Sequence, residues 1–142
     1  MWGIQAAAAK FRELEHGGKI VNASSTSGHE GDPMLSAYCA TKFGVRALTQ
    51  AAARELAPFG ITVNAYCPGI VGTGMWDEID EKLSEYNGAP RGENFKKYVE
   101  GIALGRAETP GDVAGFVSYL SGPDSDYMTG QAPLIDGGLR YR

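Results

Sequence analysis

Lys19-Ile20-Val21-Asn22-Ala23-Ser24-Ser25 and Ile61-Thr62-Val63-Asn64-Ala65-Tyr66-Cys67-Pro68-Gly69 decide the fold class. The first stretch follows Gly17-Gly18, is β-branched near its start and reads as a strand. The second reads as another strand that stops at Pro68-Gly69. Between them lies a loop through Gly28, Gly31, Asp32 and Pro33, followed by a long helix. Ser36 is the candidate N-cap of that helix, which runs to about Ala57 and is closed by Pro58 and Gly60. Working outward, the Ala-rich residues 1–15 read as a helix ended by Gly17-Gly18. Residues 72–104 are polar and irregular, with helices expected around Trp76–Tyr86 and Phe95–Ile102. Thr109 and Pro110 open a further helix to about Ser121, and residues 131–136 form a last short strand with Pro133 near its start. Strands alternating with helices predict an α/β fold with a parallel sheet. Three strands are few for this many helices, so the expected architecture is part of a larger, doubly wound sheet.

Composition narrows the function classes. A net charge of −4 without a basic stripe argues against nucleic acid as a partner. With 43% hydrophobic and 21% charged residues, the chain falls among ordinary globular domains, and no apolar run is long enough to span a membrane. The first ten residues lack a basic segment and run straight into an amphipathic helix, so they do not read as a signal peptide. Cys39 and Cys67 form no Cys-x-x-Cys pair and no cluster with histidine; they read as reduced thiols, no metal is expected, and the expected compartment is the cytoplasm.

Tyr38 and Lys42 are four residues apart on the long helix and project from one face. A free phenol, with a pKa near ~10, is a poor base at neutral pH. A neighbouring ammonium favours the phenolate. A tyrosine so placed can pass a proton to or from an alcohol or ketone oxygen. Ser25, thirteen residues before Tyr38, can orient the same oxygen. The three together point to carbonyl–alcohol redox chemistry.

The ordered set of serine strand, Tyr38-x-x-x-Lys42 helix and Val63-Asn64-Ala65-Tyr66-Cys67-Pro68-Gly69 resembles the short-chain dehydrogenase/reductase family. The resemblance continues through Thr129-Gly130-Gln131 and Asp136-Gly137-Gly138. Gly69-Ile70-Val71-Gly72-Thr73-Gly74-Met75-Trp76, Ala103-Leu104-Gly105-Arg106 and Ser125-Asp126-Tyr127-Met128-Thr129-Gly130-Gln131 are similar to its acetoin/diacetyl reductase, or 2,3-butanediol dehydrogenase, group. It implies a Rossmann-like sheet and hydride transfer between NAD(H) and a small vicinal ketone or alcohol. NAD(H) is preferred over NADP(H) by the subgroup alone. In this reading Ser25, Tyr38 and Lys42 are catalytic, and Lys42 also contacts the nicotinamide ribose. Pro68, Gly69, Ile70, Val71 and Thr73 hold the nicotinamide end of the cofactor with Tyr38 and Lys42. Ser25, Thr26, Asp32, Tyr38, Met75 and Trp76 line the substrate pocket, with Met75 and Trp76 equally open to a packing role.

The family's Gly-rich phosphate-binding turn, its Asn-Asn-Ala-Gly segment and its active-site asparagine have no counterpart in these 142 residues. Gly72-Thr73-Gly74 does not supply that turn, because Asp77 stands where a third glycine is needed. The expectation is therefore a single, incomplete domain corresponding to the family's C-terminal half. Helices 1–15 and 36–57, apolar on more than one side, are expected to build a homo-oligomer. Two rival readings stay open: an inactive, self-associating fragment, and a reductase of another substrate such as a sugar alcohol or a 3-oxoacyl group. His16 and His29 read as surface residues, and the acidic run from Asp77 to Glu85 as a solvated helix face.

Overall fold

The structure is a computed structural model and describes residues 1–141. Its regular elements are α1 (Trp2–Glu13), β1 (Gly18–Ala23), α2 (Ser36–Leu56), β2 (Ile61–Pro68), α3 (Gly74–Asn87), α4 (Glu93–Glu100), α5 (Pro110–Ser121) and β3 (Leu134–Ile135). The three strands form one parallel sheet in the order β1-β2-β3. Ile20 pairs with Val63 and Asn22 with Ala65, a register that puts the buried side chains of both strands on the same face.

Ile20, Ile61 and Val63 meet Ala52 and Ala53 of α2, and Ile4, Ala7 and Phe11 of α1 close this core. Small alanines let α2 approach the sheet, and Asn22 on the same face donates to the fully buried Thr49 hydroxyl at 2.9 Å. Alternation sends Lys19 to the other face, where it reaches Ser125 and Asp126 just beyond α5. Asn64 points the same way; it donates to Met128 O at 2.7 Å and accepts from Gln131 N–H at 3.1 Å. The sheet is thus covered on both faces, as a parallel sheet requires. Gly17 and Gly60 cross so closely that a Cβ on Gly17 would sit 2.3 Å from the Gly60 carbonyl oxygen.

Several boundaries differ from the sequence reading. Ser24 and Ser25 lie beyond β1, because Ser25 turns the chain into a 3-10 turn over Thr26–Gly28. Ser36 is the first helical residue of α2 rather than its cap; Leu35 occupies the cap position and makes no side-chain cap bond. β3 shrinks to two residues, although Gln131 and Pro133 still accept from Ala65 and Cys67 across the same edge. Thr109 caps α5 as expected, in a reciprocal capping box with Asp112. Cys39 and Cys67 are both buried and unpaired, and burial pushes the Cys67 thiol up. His29 is half-buried, its Nε2 lying 2.9 Å from Ala132 O, and so is not the surface residue expected. Among the described residues no helix is long and apolar enough to cross a membrane.

The acidic run from Asp77 to Glu85 is not a uniformly solvated face either. Asp80 is buried and accepts from Gly92 N–H at 2.5 Å and Phe95 N–H at 3.0 Å. The α4 helix begins at a left-handed glycine that has no side chain to cap it, so Asp80 of α3 supplies the missing acceptor. These amides, Gly92 first, hold the Asp80 carboxyl below its ordinary value. A depressed carboxyl contributes stability above its unfolded pKa and loses it as pH falls through the folded one. The α3–α4 pair is therefore expected to loosen only below the ordinary carboxyl value of 3.8. At neutral pH, Asp80→Ala should speed hydrogen exchange at the Gly92 and Phe95 amides; unchanged protection would refute the capping role.

Candidate active site

The parallel strands β1 and β2 end side by side, and the chain leaves both towards the same rim of the sheet. Ligands lie outside the carboxyl ends of strands in open α/β sheets. Ser25 follows β1 at this rim with an extended backbone (φ −169°), buried, and its hydroxyl accepts from Ser27 N–H at 3.2 Å. Neighbouring Ser24 takes a structural role instead, donating to the backbone carbonyl of Lys42 at 2.9 Å. The approach is tight: a Cβ on Gly28 would lie 2.5 Å from Ser24 Oγ and 2.9 Å from Lys42 O. Glycine at 28 therefore lets the 3-10 turn seat against α2, and Arg46 of α2 clamps it through a 2.7 Å bond to Gly28 O.

Tyr38 lies in the first turn of α2 and is exposed at 37%. One turn later the Lys42 ammonium stands 5.4 Å from the Tyr38 ring centroid. It also donates to Ala23 O, the last carbonyl of β1, at 3.3 Å. The helix thus carries the phenol and the ammonium together, and the ammonium is tied to the strand that leads into Ser25.

Thr26 is buried, and its carbonyl accepts from His29 N–H at 2.9 Å and Arg140 Nη1 at 3.1 Å. Asp32 accepts from Ser27 Oγ at 2.5 Å, donates its backbone N–H to Cys39 Sγ at 3.2 Å, and is ion-paired with Arg140 Nη2. The 26–32 loop is therefore braced by a residue more than a hundred positions away. Arg140 had no signal in the sequence, because nothing local marks a side chain that acts only through chain return. Asp32 is committed to this internal network, which weighs against its direct contact with a substrate.

Beyond β2, Pro68, Gly69, Ile70, Val71 and Thr73 run along the rim towards α3. Gly69 donates its N–H to Ile135 O and to Glu108 Oε2, at 3.3 and 3.0 Å. Val71 forms a parallel bridge with Glu108. Thr73 occupies the N-cap position of α3, yet its hydroxyl makes no cap bond. Glu108 and Asp136 are buried here, and neither side-chain role could be read from local pattern. Met75 is 60% exposed on α3, whereas Trp76 packs its ring on Phe95 and Tyr98 of α4, at 5.4 and 5.2 Å. Trp76 thus belongs to the α3–α4 pair in this structure, the packing alternative. Among the described residues no group of three or more His, Cys, Asp or Glu is arranged to hold a metal.

The sheet order, the two-sided helical cover and the Tyr–Lys helix beside a strand-end serine define an α/β dinucleotide-type fold with its candidate site at the strand ends. A family model described as Enoyl-(Acyl carrier protein) reductase matches residues 2–140. An L-2,3-butanediol dehydrogenase of Corynebacterium glutamicum is 62% identical over 99% of the chain and 54% of its own length. A diacetyl reductase [(S)-acetoin forming] of Staphylococcus aureus is 53% identical over 100% of the chain and 55% of its own length. The solved structure of an NAD+-bound xylitol dehydrogenase matches with a TM-score of 0.88 at 32% identity, covering 95% of the chain and 54% of its own. A short chain dehydrogenase family protein from Francisella tularensis matches with a TM-score of 0.79 at 30% identity, covering 85% of the chain and 50% of its own. The chain belongs to the short-chain dehydrogenase/reductase family. It spans about half the length of the curated relatives it matches.

Proposed function

We propose that this chain is the catalytic portion of an NAD(H)-dependent oxidoreductase that interconverts small vicinal ketones and alcohols, of the diacetyl, acetoin and 2,3-butanediol class. The observation that carries this reading is the placement of Tyr38 and Lys42 one turn apart on α2, with Lys42 anchored to the end of β1 next to Ser25. The names of its relatives favour the substrate class.

The residues present fit a nicotinamide riboside. The Lys42 ammonium has three donors and gives one to Ala23 O, which suits it to ribose hydroxyls as well. The Thr73 hydroxyl is not spent on its helix. Pro68, Gly69, Ile70 and Val71 would lie along the nicotinamide, and Tyr38 with Lys42 at its ribose. When bound, the cofactor supplies or accepts a hydride at the substrate carbon. Ser25 would donate its hydroxyl to the carbonyl oxygen and fix its direction. Tyr38 would hand its phenolic proton to that oxygen as the alcohol forms, and take it back in the reverse direction. Lys42 would stabilise the negative charge left on Tyr38 and the proton would be replaced from solvent. Thr26 and Met75 would shape the pocket around the second carbonyl, with Asp32 acting through the loop it braces. NAD(H) is preferred over NADP(H) by likeness to the subgroup; among the structural relatives one is named with NAD+ and another with NADPH. The two buried free thiols suit a reducing compartment such as the cytoplasm.

We further propose that the chain corresponds to the C-terminal part of one larger domain and assembles as a homo-oligomer through α1 and α2. β1 pairs with β2 alone among the described residues, which leaves an edge able to take another strand. That edge also favours the rival, a self-associating chain without turnover. The deciding experiment is titration of the chain with NADH by fluorescence, followed by diacetyl reduction. Saturable binding and turnover are expected. No binding, together with no diacetyl reduction by a longer chain containing these residues, would overturn the reading. Activity confined to a xylitol or 3-oxoacyl panel would reassign the substrate.

A further inference from the structure

Glu108 holds the strand-end segment in three ways at once. Its backbone N–H donates to Ile70 O at 2.8 Å, and its carbonyl accepts from Gly72 N–H at 2.9 Å. Its side-chain Oε2 accepts from Gly69 N–H at 3.0 Å. The residue is only 8% exposed, and its other oxygen, Oε1, is buried without a hydrogen-bond partner. It borders a cleft shared with Ile102, Leu104, Ile135, Asp136 and Gly137. Nothing in the backbone ladder demands a carboxylate here, since the first two bonds are available to any residue but proline. A buried acid with one oxygen aimed at a glycine amide and the other left unpaired is costly, so its retention calls for a functional account.

We propose that Glu108 is a pH-responsive positioning residue, whose ionised carboxylate locks the Gly69 amide and with it the segment Gly69–Gly72 that would receive the nicotinamide. The part concerning nicotinamide rests on the proposed function; the lock on Gly69 does not. A carboxylate accepts from an amide more strongly than a neutral acid does, so deprotonation tightens the Gly69 bond. The charged groups facing Glu108 are Arg106 on its own segment, Asp112 on α5 and Asp136 after β3. Arg106 is engaged by Asp112 through a two-pronged pair, at 2.7 and 2.9 Å, which limits its ability to neutralise Glu108. Burial first, then the two aspartates, raises the Glu108 carboxyl to about 7 against the pull of Gly69 N–H and Arg106. The switch would therefore work in the neutral range, loose on the acid side and tight on the alkaline side.

The test is a pH titration of the Gly69 amide by proton–nitrogen NMR on the chain itself, without cofactor. The Gly69 proton is expected to move downfield with a midpoint near 7, the value to which Glu108 is raised. In Glu108→Gln the amide oxygen keeps a neutral acceptor, and the titration should vanish. A wild-type Gly69 amide that stays flat from pH 5 to 9, or one that still titrates in Glu108→Gln, overturns the proposal. The wild-type arm decides even if the variant fails to fold. In parallel, NADH affinity should rise across the same range in the wild type, by several-fold, and stay level in Glu108→Gln. A titrating Gly69 amide with no NADH binding at any pH supports the lock and overturns its link to nicotinamide in this chain. NADH binding with no pH trend, beside a titrating amide, overturns the link to nicotinamide.

Discussion

Replacing Tyr38 by Phe is expected to lower kcat for diacetyl reduction by about 10²–10⁴-fold, the usual contribution of a positioned general acid. That range equals about 3–5 kcal/mol of barrier. The change removes one hydroxyl from a half-exposed ring in the first turn of α2, and leaves the helix and its packing in place. Stability should therefore stay within about 0.5 kcal/mol, as for surface substitutions remote from packing. The effect should fall on kcat and kcat/KM alike, because proton transfer to the substrate oxygen develops only in the transition state. Stopped-flow measurement of NADH oxidation in a form with wild-type turnover gives the result directly. A kcat within threefold of wild type would remove Tyr38 from the reaction and with it the main ground for the proposed function.

Gly69→Ala is expected to produce a marked loss of stability on the β2 side of the site. An added Cβ would lie 2.8 Å from Asp136 Cβ and 3.0 Å from Asp136 Cα. Neither partner yields easily. Asp136 is pinned by Gly138 N–H at 3.0 Å and Arg140 N–H at 2.9 Å, and Gly69 is held by Ile135 O and Glu108. Forced overpacking of this kind costs about 1–3 kcal/mol, or a fall in Tm of roughly 4 °C per kcal/mol for a domain of this size. Gly72→Ala is the control, since its nearest neighbour to an added Cβ is 3.9 Å away. Equal melting temperatures for the two variants would show that the Gly69–Asp136 approach relaxes without cost. A drop confined to Gly69→Ala, with weaker NADH binding, would tie the close approach to the cofactor rim.

Much of the fold was legible because its signals are local. Gly17-Gly18 and Pro58-Gly60 punctuate the chain, β-branched runs mark β1 and β2, and Thr109-Pro110 announces α5 with its cap. The acidic face of α3 was misread because pattern alone cannot show that a helix start with no cap of its own, at Gly92, lies beside Asp80. β3 was overestimated because its alternating residues bond along the β2 edge without completing a regular ladder. Trp76 could be placed on α3 from sequence, but its stacking on Phe95 and Tyr98 depends on how α4 folds back.

The sequence by itself determined that this is an α/β chain carrying a serine at a strand end and a tyrosine and lysine one helical turn apart. Those features depend on hydrogen bonds and spacings within a few residues, which composition and periodicity record. Only the tertiary structure decided that the Lys42 ammonium is tied to Ala23 and that Arg140 braces Thr26 and Asp32. It alone revealed the buried Glu108 carboxylate on the Gly69 amide. The physical reason is the same in each case. These contacts join segments from nineteen to more than a hundred residues apart, and their energies depend on burial, which no local stretch of sequence encodes.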